Sequence, residues 1–411
     1  MFLSLIYLSF FTVNHFALSV NNDQKELFDS NIELDDTSVS FPIVNGNFNK
    51  VTKGGLTPLH IAAKEGNESI INQLLSSNAS VDSRDDNNDT AIHLALFNKN
   101  IKIAKILINH ATDVNIKGSF GLTPLHIAAE EGYESIVKLL LSKNASVEIR
   151  DDFDQTAIHL ALPSEHLDIA KILIDRATDV NIKGSYEVTP LHIAAELGYE
   201  SIVNLLLSKN ASVDITDDMN NTSIHQALFN EYPNIAKILI ERATHVNIIG
   251  YYGAALHIAA ENGYASIVNL LLSKNASVDI KNFNDDTPTH LALVNEYPNI
   301  AMILTDHATD VNIKGSHGST PLHIAAKNGY ESNVELLLSK NANVSIRDNS
   351  NDTPIHLALV HNNPNIAEML IYHATNVNMK GSNGRTPLGI AVQEEYESVV
   401  SCYCPKMLVL L

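Results

Sequence analysis

The sequence has no tryptophan, two cysteines in 411 residues, and only 27 Lys and Arg against 47 Asp and Glu. With a net charge of −20, it lacks the basic excess that binds nucleic acid or anionic lipid without sequence preference. Cys402 and Cys404 stand together near the C-terminus, so no disulfide framework can brace the body of the fold. Stability must come from apolar packing, and 45% of the residues are hydrophobic.

Long apolar runs are also missing, apart from one at the N-terminus. The run extends from Phe2 to Val13 and is followed by Ala17 and Ser19, placed like the small residues before a cleavage site. This pattern predicts a signal peptide over residues 1–19 and a secreted protein. The run has no Lys or Arg at its start, so an apolar segment of other use in a cytoplasmic protein is the alternative. No later segment reaches the ~18 apolar residues of a membrane span.

Residues 20–51 are acidic, rich in Asn and without periodicity, which predicts a loosely ordered lead-in. Beyond them, a histidine recurs every 33 residues, with one interval of 32 between His225 and His257. The series is His60, His93, His126, His159, His192, His225, His257, His290, His323 and His356, and an eleventh copy has Gly389 instead.

Each histidine lies in a frame such as TPLHIAA (57–63) or TAIHLAL (90–96). Thr is a good helix N-cap and Pro is favoured at the first helical position, so the frame predicts the start of a helix. A second apolar helix follows, as in YESIVKLLLSKN (133–144), and a short polar stretch then leads to the next unit.

A 33-residue unit of two helices and a loop, with TPLHxA at the first helix, resembles the ankyrin repeat. The resemblance covers residues 52–400 and about eleven tandem repeats, and residues 401–411 remain as a short apolar tail. It implies an all-α solenoid of stacked helix-turn-helix units with β-hairpin fingers. It also implies that the repeated histidine ties one layer to the next.

A longer period of 66 residues separates odd from even units. At the end of the second helix, where family members place Gly at positive φ, odd units have Asn. Even units have Ala111, Ala177, Ala243, Ala308 and Ala374. Alanine tolerates that conformation poorly, at about 1 kcal/mol each, so these helix ends are predicted to be distorted or weak.

Two units depart from the frame. The unit of His257 lacks one loop residue and has Ala254-Ala255 in place of Thr-Pro, which predicts a softer, uncapped helix start. In the last unit, Pro405 predicts a shortened second helix.

The residues give little support for catalysis. Histidines one repeat apart lie in different layers and do not converge on one ion, so a structural role is expected and no metal site. No cofactor or nucleophile motif is present, and two cysteines alone are a weak metal site. The sequence therefore predicts a protein that is not an enzyme and has no cofactor.

The variable positions point to a binding surface. Six residues before the histidine, five consecutive units carry Phe120, Phe153, Tyr186, Met219 and Tyr251. Exposed apolar tips on consecutive fingers would form a contiguous binding surface, whereas rings that fold back over neighbouring loops are the alternative. Phe97 and Phe229, four residues after the histidine, are predicted to extend the surface.

The sequence thus predicts a monomeric, non-enzymatic scaffold that binds another protein through the concave face and finger tips. The alternative is a secreted effector or toxin-like protein acting on a host or target protein. Neither nucleic acid nor a membrane span is expected.

Overall fold

The structure is a computed structural model that describes residues 51–52 and 54–409, with the backbone alone for residues 404–409. The predicted signal peptide and, except for Val51, the predicted lead-in lie outside the described residues. Residues 51–411 form one unit. Its described part contains 22 α-helices in consecutive pairs, which confirms the predicted all-α stack. No helix of this part is long and apolar enough to cross a membrane.

Each pair, numbered here as units 1 to 11, has a first helix that carries the repeated histidine frame. These helices are α1 Pro58–Glu65, α3 Ala91–Phe97, α5 Pro124–Glu130, α7 Ala157–Ala161, α9 Pro190–Glu196, α11 Ser223–Phe229, α13 Ala255–Glu261, α15 Pro288–Val294, α17 Pro321–Asn328, α19 Pro354–Val360 and α21 Pro387–Gln393. Each first helix packs against the first helices of the adjacent units.

The second helices are nine residues long in odd units and ten in even units, except for a longer one at the end. They are α2 Glu68–Ser76, α4 Ile101–His110, α6 Glu134–Ser142, α8 Leu167–Arg176, α10 Glu200–Ser208, α12 Pro233–Arg242, α14 Ala265–Ser273, α16 Pro298–His307, α18 Glu331–Ser339, α20 Pro364–His373 and α22 Glu397–Val409. Their buried faces, such as Ile136, Val137 and Leu140, form the core with alanines of the first helices.

The loop before each first helix, called finger 1 to finger 11 after its unit, is a tight turn rather than a pair of long strands. Among the described residues the only β-bridge outside helices joins Gly250 and Gly253. In fingers 3, 5, 9 and 11 the tip is a single 3₁₀ turn, Ser119–Gly121 being the first of the four. In even fingers an Asp or Asn side chain closes the turn, as where Asp151 Oδ1 accepts from the N–H groups of Phe153 and Gln155.

The repeated histidine fixes the start of its helix. In unit 1, Nδ1 of His60 accepts a hydrogen bond from the N–H of Thr57 at 3.1 Å and from its hydroxyl at 2.7 Å. Nδ1 is therefore unprotonated, which leaves Nε2 as the donor. The same Thr and His contacts recur in all units up to unit 10 except unit 7, where Ala254 has no hydroxyl.

The other ring nitrogen joins adjacent units. Nε2 of His60 donates to the carbonyl of Asp89, 29 residues further along, at 3.0 Å. The same bond, at 3.0–3.3 Å, is made by every repeated histidine except His225. Burial lowers the pKa of all ten histidines, and to about 4 for His93, His126, His159, His192, His225 and His257.

The ends of the second helices differ between odd and even units, though not as predicted. The odd-unit residues Asn78, Asn144, Asn210, Asn275 and Asn341 have positive φ between 58° and 63°. The even-unit alanines have φ between −65° and −75° with ψ of 136–142°. The prediction of strained alanines is wrong because the ten-residue helices pass directly into extended backbone, which alanine adopts freely.

The strain lies instead in the turn between the two helices of even units. Odd units 1, 3, 5, 7 and 9 place Gly there with φ of 75–79°. Even units place non-glycine residues with φ of 60–66°, namely Lys99, Glu165, Glu231, Glu296 and Asn362. Left-handed backbone costs an ordinary residue roughly 1 kcal/mol or more.

The last helix is longer than the sequence predicts. α22 runs for 13 residues through Pro405, and it includes residues 401–409 of the predicted tail. Its Tyr403 side chain is 1% exposed. The prediction of a shortened helix is therefore wrong, because burial of Tyr403 holds this segment against the stack.

We expect opposite effects from two glycine substitutions in unit 6. Glu231→Gly removes a side chain from left-handed backbone and should raise the free energy of unfolding by about 0.5–1 kcal/mol. Ala243→Gly loosens the unfolded chain without relieving strain and should lower it by a similar amount. Urea unfolding of the full chain measures both, and a stabilising Ala243→Gly would contradict the assignment of strain.

We also expect stability to fall in mild acid. A histidine whose pKa is lower in the folded than in the unfolded chain stabilises the fold fully above pH 6.5, and this stabilisation is lost as the pH falls towards 4. Burial also raises the pKa of Asp85, Asp89, Asp151, Asp218 and Glu261, that of Asp151 to about 6, and these carboxyls act in the opposite direction, but the ten histidines outnumber them. The Tm should fall by on the order of 10 °C between pH 7.5 and pH 5. A Tm that stays constant over this range would contradict neutral, buried histidines.

Candidate functional site

The five predicted tip residues stand at the corners of consecutive fingers. Phe153, Tyr186, Met219 and Tyr251 are 37%, 52%, 49% and 58% exposed, and Phe120 is half-buried. Most of these side chains therefore face solvent. We call these five residues the tip row.

Hydrogen bonds between fingers make the row continuous. The carbonyl of Phe120 accepts from the N–H of Asp152, the residue before Phe153, at 3.0 Å. The carbonyl of Phe153 accepts from the Ser185 hydroxyl at 2.6 Å, immediately before Tyr186.

The same linkage continues towards unit 7. The N–H of Asp218, next to Met219, donates to the Tyr186 carbonyl at 3.1 Å. The N–H of Tyr251 donates to Asn221 Oδ1 at 3.0 Å. Each finger tip is thus hydrogen-bonded to a residue within two positions of the neighbouring tip, so the backbone that carries the five side chains is linked from finger to finger.

Two tips have an unusual backbone. Phe120 and Tyr186 have φ of 56° and 55°, in the left-handed region. The residues at the same position in fingers 1, 9 and 11 are Gly54, His317 and Asn383, which also have positive φ. Gly and Asn adopt positive φ at a lower cost than Phe or Tyr. An aromatic residue at this corner carries strain of about 1 kcal/mol without adding to the core.

The first-helix residues predicted to extend the row lie in different settings. Both Phe97 and Phe229 are half-buried. Phe229 stacks on Tyr252 with 4.3 Å between ring centroids, and Tyr252 meets Tyr251 edge to face at 5.0 Å. Phe229 is therefore joined to the tip row through Tyr252. Phe97 lies at the matching position in α3, at the start of the stack.

Sequence reasoning missed three residues beside the row. Phe283 is 77% exposed, and Ile249 is 37% exposed. Both lie outside the column six residues before the histidine, because Phe283 precedes it by seven and Ile249 by eight. Tyr252 was missed because it follows the tip. A comparison of the columns on either side of the tip would have found Phe283 and Tyr252, and Ile249 lies one column further out.

Finger 7 breaks the hydrogen-bond pattern of the stack. Since it is one residue shorter, Nε2 of His225 has no hydrogen-bond partner, although the ring is 3% exposed. Ala254 still donates its N–H to Nδ1 of His257 at 3.0 Å, so the helix start keeps half of its cap. The softer start of α13 stays a prediction.

Three of the cations close to the tips form ion pairs within their own fingers, whereas Lys117 of finger 3 is exposed. Arg150 pairs with Asp154 at 3.6 Å, Lys183 with Glu187 at 2.7 Å and Lys281 with Asp285 at 3.4 Å. These bridges are solvent-exposed and add little to stability. Asp152 and Asp218 remain as exposed carboxylates beside the row, so the surface is apolar with a negative margin.

The repeated histidines do not assemble into a site. Each ring lies in a separate layer of the stack, and all except His225 and His257 bond both to their own threonine and to the next finger. In the described part of the chain, no group of three His, Cys, Asp or Glu side chains could hold a metal ion.

A stack of helix pairs, each tied to the next by a histidine and a short finger, defines a helical repeat protein. The family described as ankyrin repeats (3 copies) matches residues 16–118, 112–184, 179–249, 256–348 and 343–402. The chain belongs to the ankyrin repeat family. A comparison with the curated proteins found no match.

Proposed function

We propose that the protein is a non-enzymatic scaffold of eleven ankyrin repeats that binds a partner protein through the tip row and the adjoining first helices. Ankyrin repeats are protein interaction modules, and this assignment rests on family membership. The choice of surface rests on the tip row, a set of apolar side chains on five consecutive fingers, four of them exposed.

Three properties support the tip row as the binding surface. Large apolar and aromatic side chains at the centre of an interface supply most of its affinity. The interfinger hydrogen bonds hold the backbone of the row in place before binding, which reduces the entropy lost on association. The left-handed backbone at Phe120 and Tyr186 costs stability and gives no core packing, as expected of residues retained for binding.

One copy of the chain supplies the whole row, and we therefore propose that it binds as a monomer. The negative margin and the net charge of −20 favour a partner with basic or neutral chemistry over nucleic acid or anionic lipid.

The proposal predicts that polar tips abolish partner capture. In a pull-down from the native source, the variant with Phe120, Phe153, Tyr186 and Tyr251 all changed to Ser should lose the captured partner by at least tenfold. These side chains are largely exposed, so the far-UV circular dichroism and the Tm should change little. The measurement is quantitative mass spectrometry of the captured proteins.

A matched control changes apolar residues outside the row. Tyr372 and Val392 are 79% and 59% exposed, and a Tyr372→Ser, Val392→Ser double variant should capture the partner like the wild type. Unimpaired capture by the quadruple tip variant would remove the tip row from the proposal. Equal losses in both variants would do the same, because they would show that capture does not depend on the row.

We also propose that residues 1–19 direct export, so that the scaffold acts outside the cell as an effector on a target protein. The support is the apolar run from Phe2 to Val13 followed by small residues. The expected result of sequencing the native N-terminus is a start near Val20 or Asn21. An intact Met1 would contradict export and favour the cytoplasm.

A further inference from the structure

Finger 7 carries two aromatic rings, Tyr251 and Tyr252, where other fingers carry one or none, and Tyr252 stacks on Phe229 at the end of α11. We call Phe229, Tyr251 and Tyr252 the aromatic cluster. The planes of Phe229 and Tyr252 lie 21° apart in a stack, and Tyr251 stands at 87° to Tyr252. Tyr251 is 58% exposed, so the cluster opens to solvent at the end of the tip row.

The same finger has lost the cation of its equivalents. Fingers 3, 5, 9 and 11 have a lysine three residues before the tip, namely Lys117, Lys183, Lys314 and Lys380. Two of these lysines are engaged, because Lys183 pairs with Glu187 at 2.7 Å and Lys314 donates to the Arg347 carbonyl at 2.7 Å. In those four fingers the lysine directly precedes a glycine. In finger 7 the residue directly before the equivalent glycine, Gly250, is Ile249. The loop 246–253 contains no charged residue.

The first helices on either side of α11 carry carboxylates, and the segments that form the cluster contain no Lys or Arg. Phe229 lies four residues after its histidine, and the same position holds Glu196 in α9 and Glu261 in α13, the two first helices packed against α11. Asp218 is exposed on the preceding finger. Residues 210–236 and 243–273 contain no Lys or Arg.

Aromatic faces and carboxylates together select a cation with a flat apolar surface. A guanidinium stacks on a tyrosine ring and donates hydrogen bonds to a carboxylate in its own plane, whereas an ammonium is more strongly hydrated and stacks less well. Met219 and Phe283 are exposed on the fingers before and after finger 7, so a segment bound there also meets apolar side chains.

We propose that the aromatic cluster is the anchor site for an arginine in a segment of the partner protein where arginine is flanked by apolar side chains. This inference rests on the proposed function and names the chemistry of its partner. The site is negatively charged, because the surrounding first helices contain carboxylates and neither they nor the loop contain Lys or Arg. This charge complements a segment that carries arginine.

The test uses the full chain and three synthetic 12-residue peptides that differ at two positions within a Leu-rich, Ser-spaced sequence. Both positions are arginine in the first peptide, lysine in the second and citrulline in the third. Citrulline keeps the shape of arginine without its charge. Fluorescence anisotropy of labelled peptide at 150 mM salt gives each Kd. We expect the arginine peptide to bind at least fivefold more tightly than the lysine peptide and tenfold more tightly than the citrulline peptide, consistent with a contact worth about 0.5–2 kcal/mol.

Two variants test the site itself. Tyr251→Leu keeps an apolar side chain and removes the ring, and Glu261→Gln removes a charge at constant shape. Each should weaken the arginine peptide at least fivefold and leave the citrulline peptide unchanged. The controls are Tyr372→Leu on the second helix α20 and Glu335→Gln on α18, both at exposed positions, which should have no effect.

Equal Kd values for arginine and citrulline peptides would overturn the inference, as would equal losses in the site and control variants or no measurable binding of any peptide. The proposed function is tested separately by capture of the native partner. The polar tip variant could fail to capture the partner while Tyr251→Leu binds the arginine peptide like the wild type. That result would support the proposed scaffold function and contradict the arginine site.

Discussion

The stack depends on one hydrogen-bond relay that passes through a neutral histidine. Nδ1 accepts from the threonine that begins the helix, and Nε2–H donates to a carbonyl in the next finger. Both bonds require the neutral ring with its proton on Nε2, and burial enforces that state. One side chain therefore caps a helix, orients a finger and joins two layers, which explains why it stays constant while the neighbouring positions vary. Its chemistry is fully used in the fold, so function must lie elsewhere.

Finger 7 shows how a change in the spacing between repeats weakens this hydrogen-bond relay. Where finger 7 is one residue shorter, Nε2 of His225 has no acceptor, and the replacement of Thr by Ala254 separately removes the hydroxyl from the next helix start. An unsatisfied buried donor costs about 1–3 kcal/mol. The stack tolerates the defect because adjacent first helices still pack on both sides. In the same finger Tyr252 stacks on Phe229, and Ile249 stands where fingers 3, 5, 9 and 11 have a lysine, so the finger that interrupts the relay also differs most in its surface.

The sequence was sufficient for the helix pairs, because Thr-Pro and the histidine period specify each start locally. It also predicted the left-handed asparagines, such as Asn144 at φ 61°. It failed at Ala243 because the end of a helix depends on whether it has nine or ten residues, and packing against the next unit decides that length. The sequence analysis missed Phe283 because it considered only the position six residues before each histidine, although a turn exposes more than one side chain. The sequence predicted a contiguous row from the repeat spacing, but it could not predict the hydrogen bonds that link the fingers, because these join residues about 30 positions apart.

A division of roles between positions follows from the energetics. The frame residues give a stability that every unit repeats, so a change at one tip does not propagate beyond its neighbours. This freedom allows the fingers to hold residues that weaken their own loop, as the left-handed Phe120 and Tyr186 do. Because the stability of such a stack is distributed over many interfaces between units, the fold tolerates roughly 1 kcal/mol of backbone strain at each finger. The aromatic and Met tips are consecutive from finger 3 to finger 7, where the hydrogen-bond relay first fails, and the proposed binding surface therefore occupies the middle of the array.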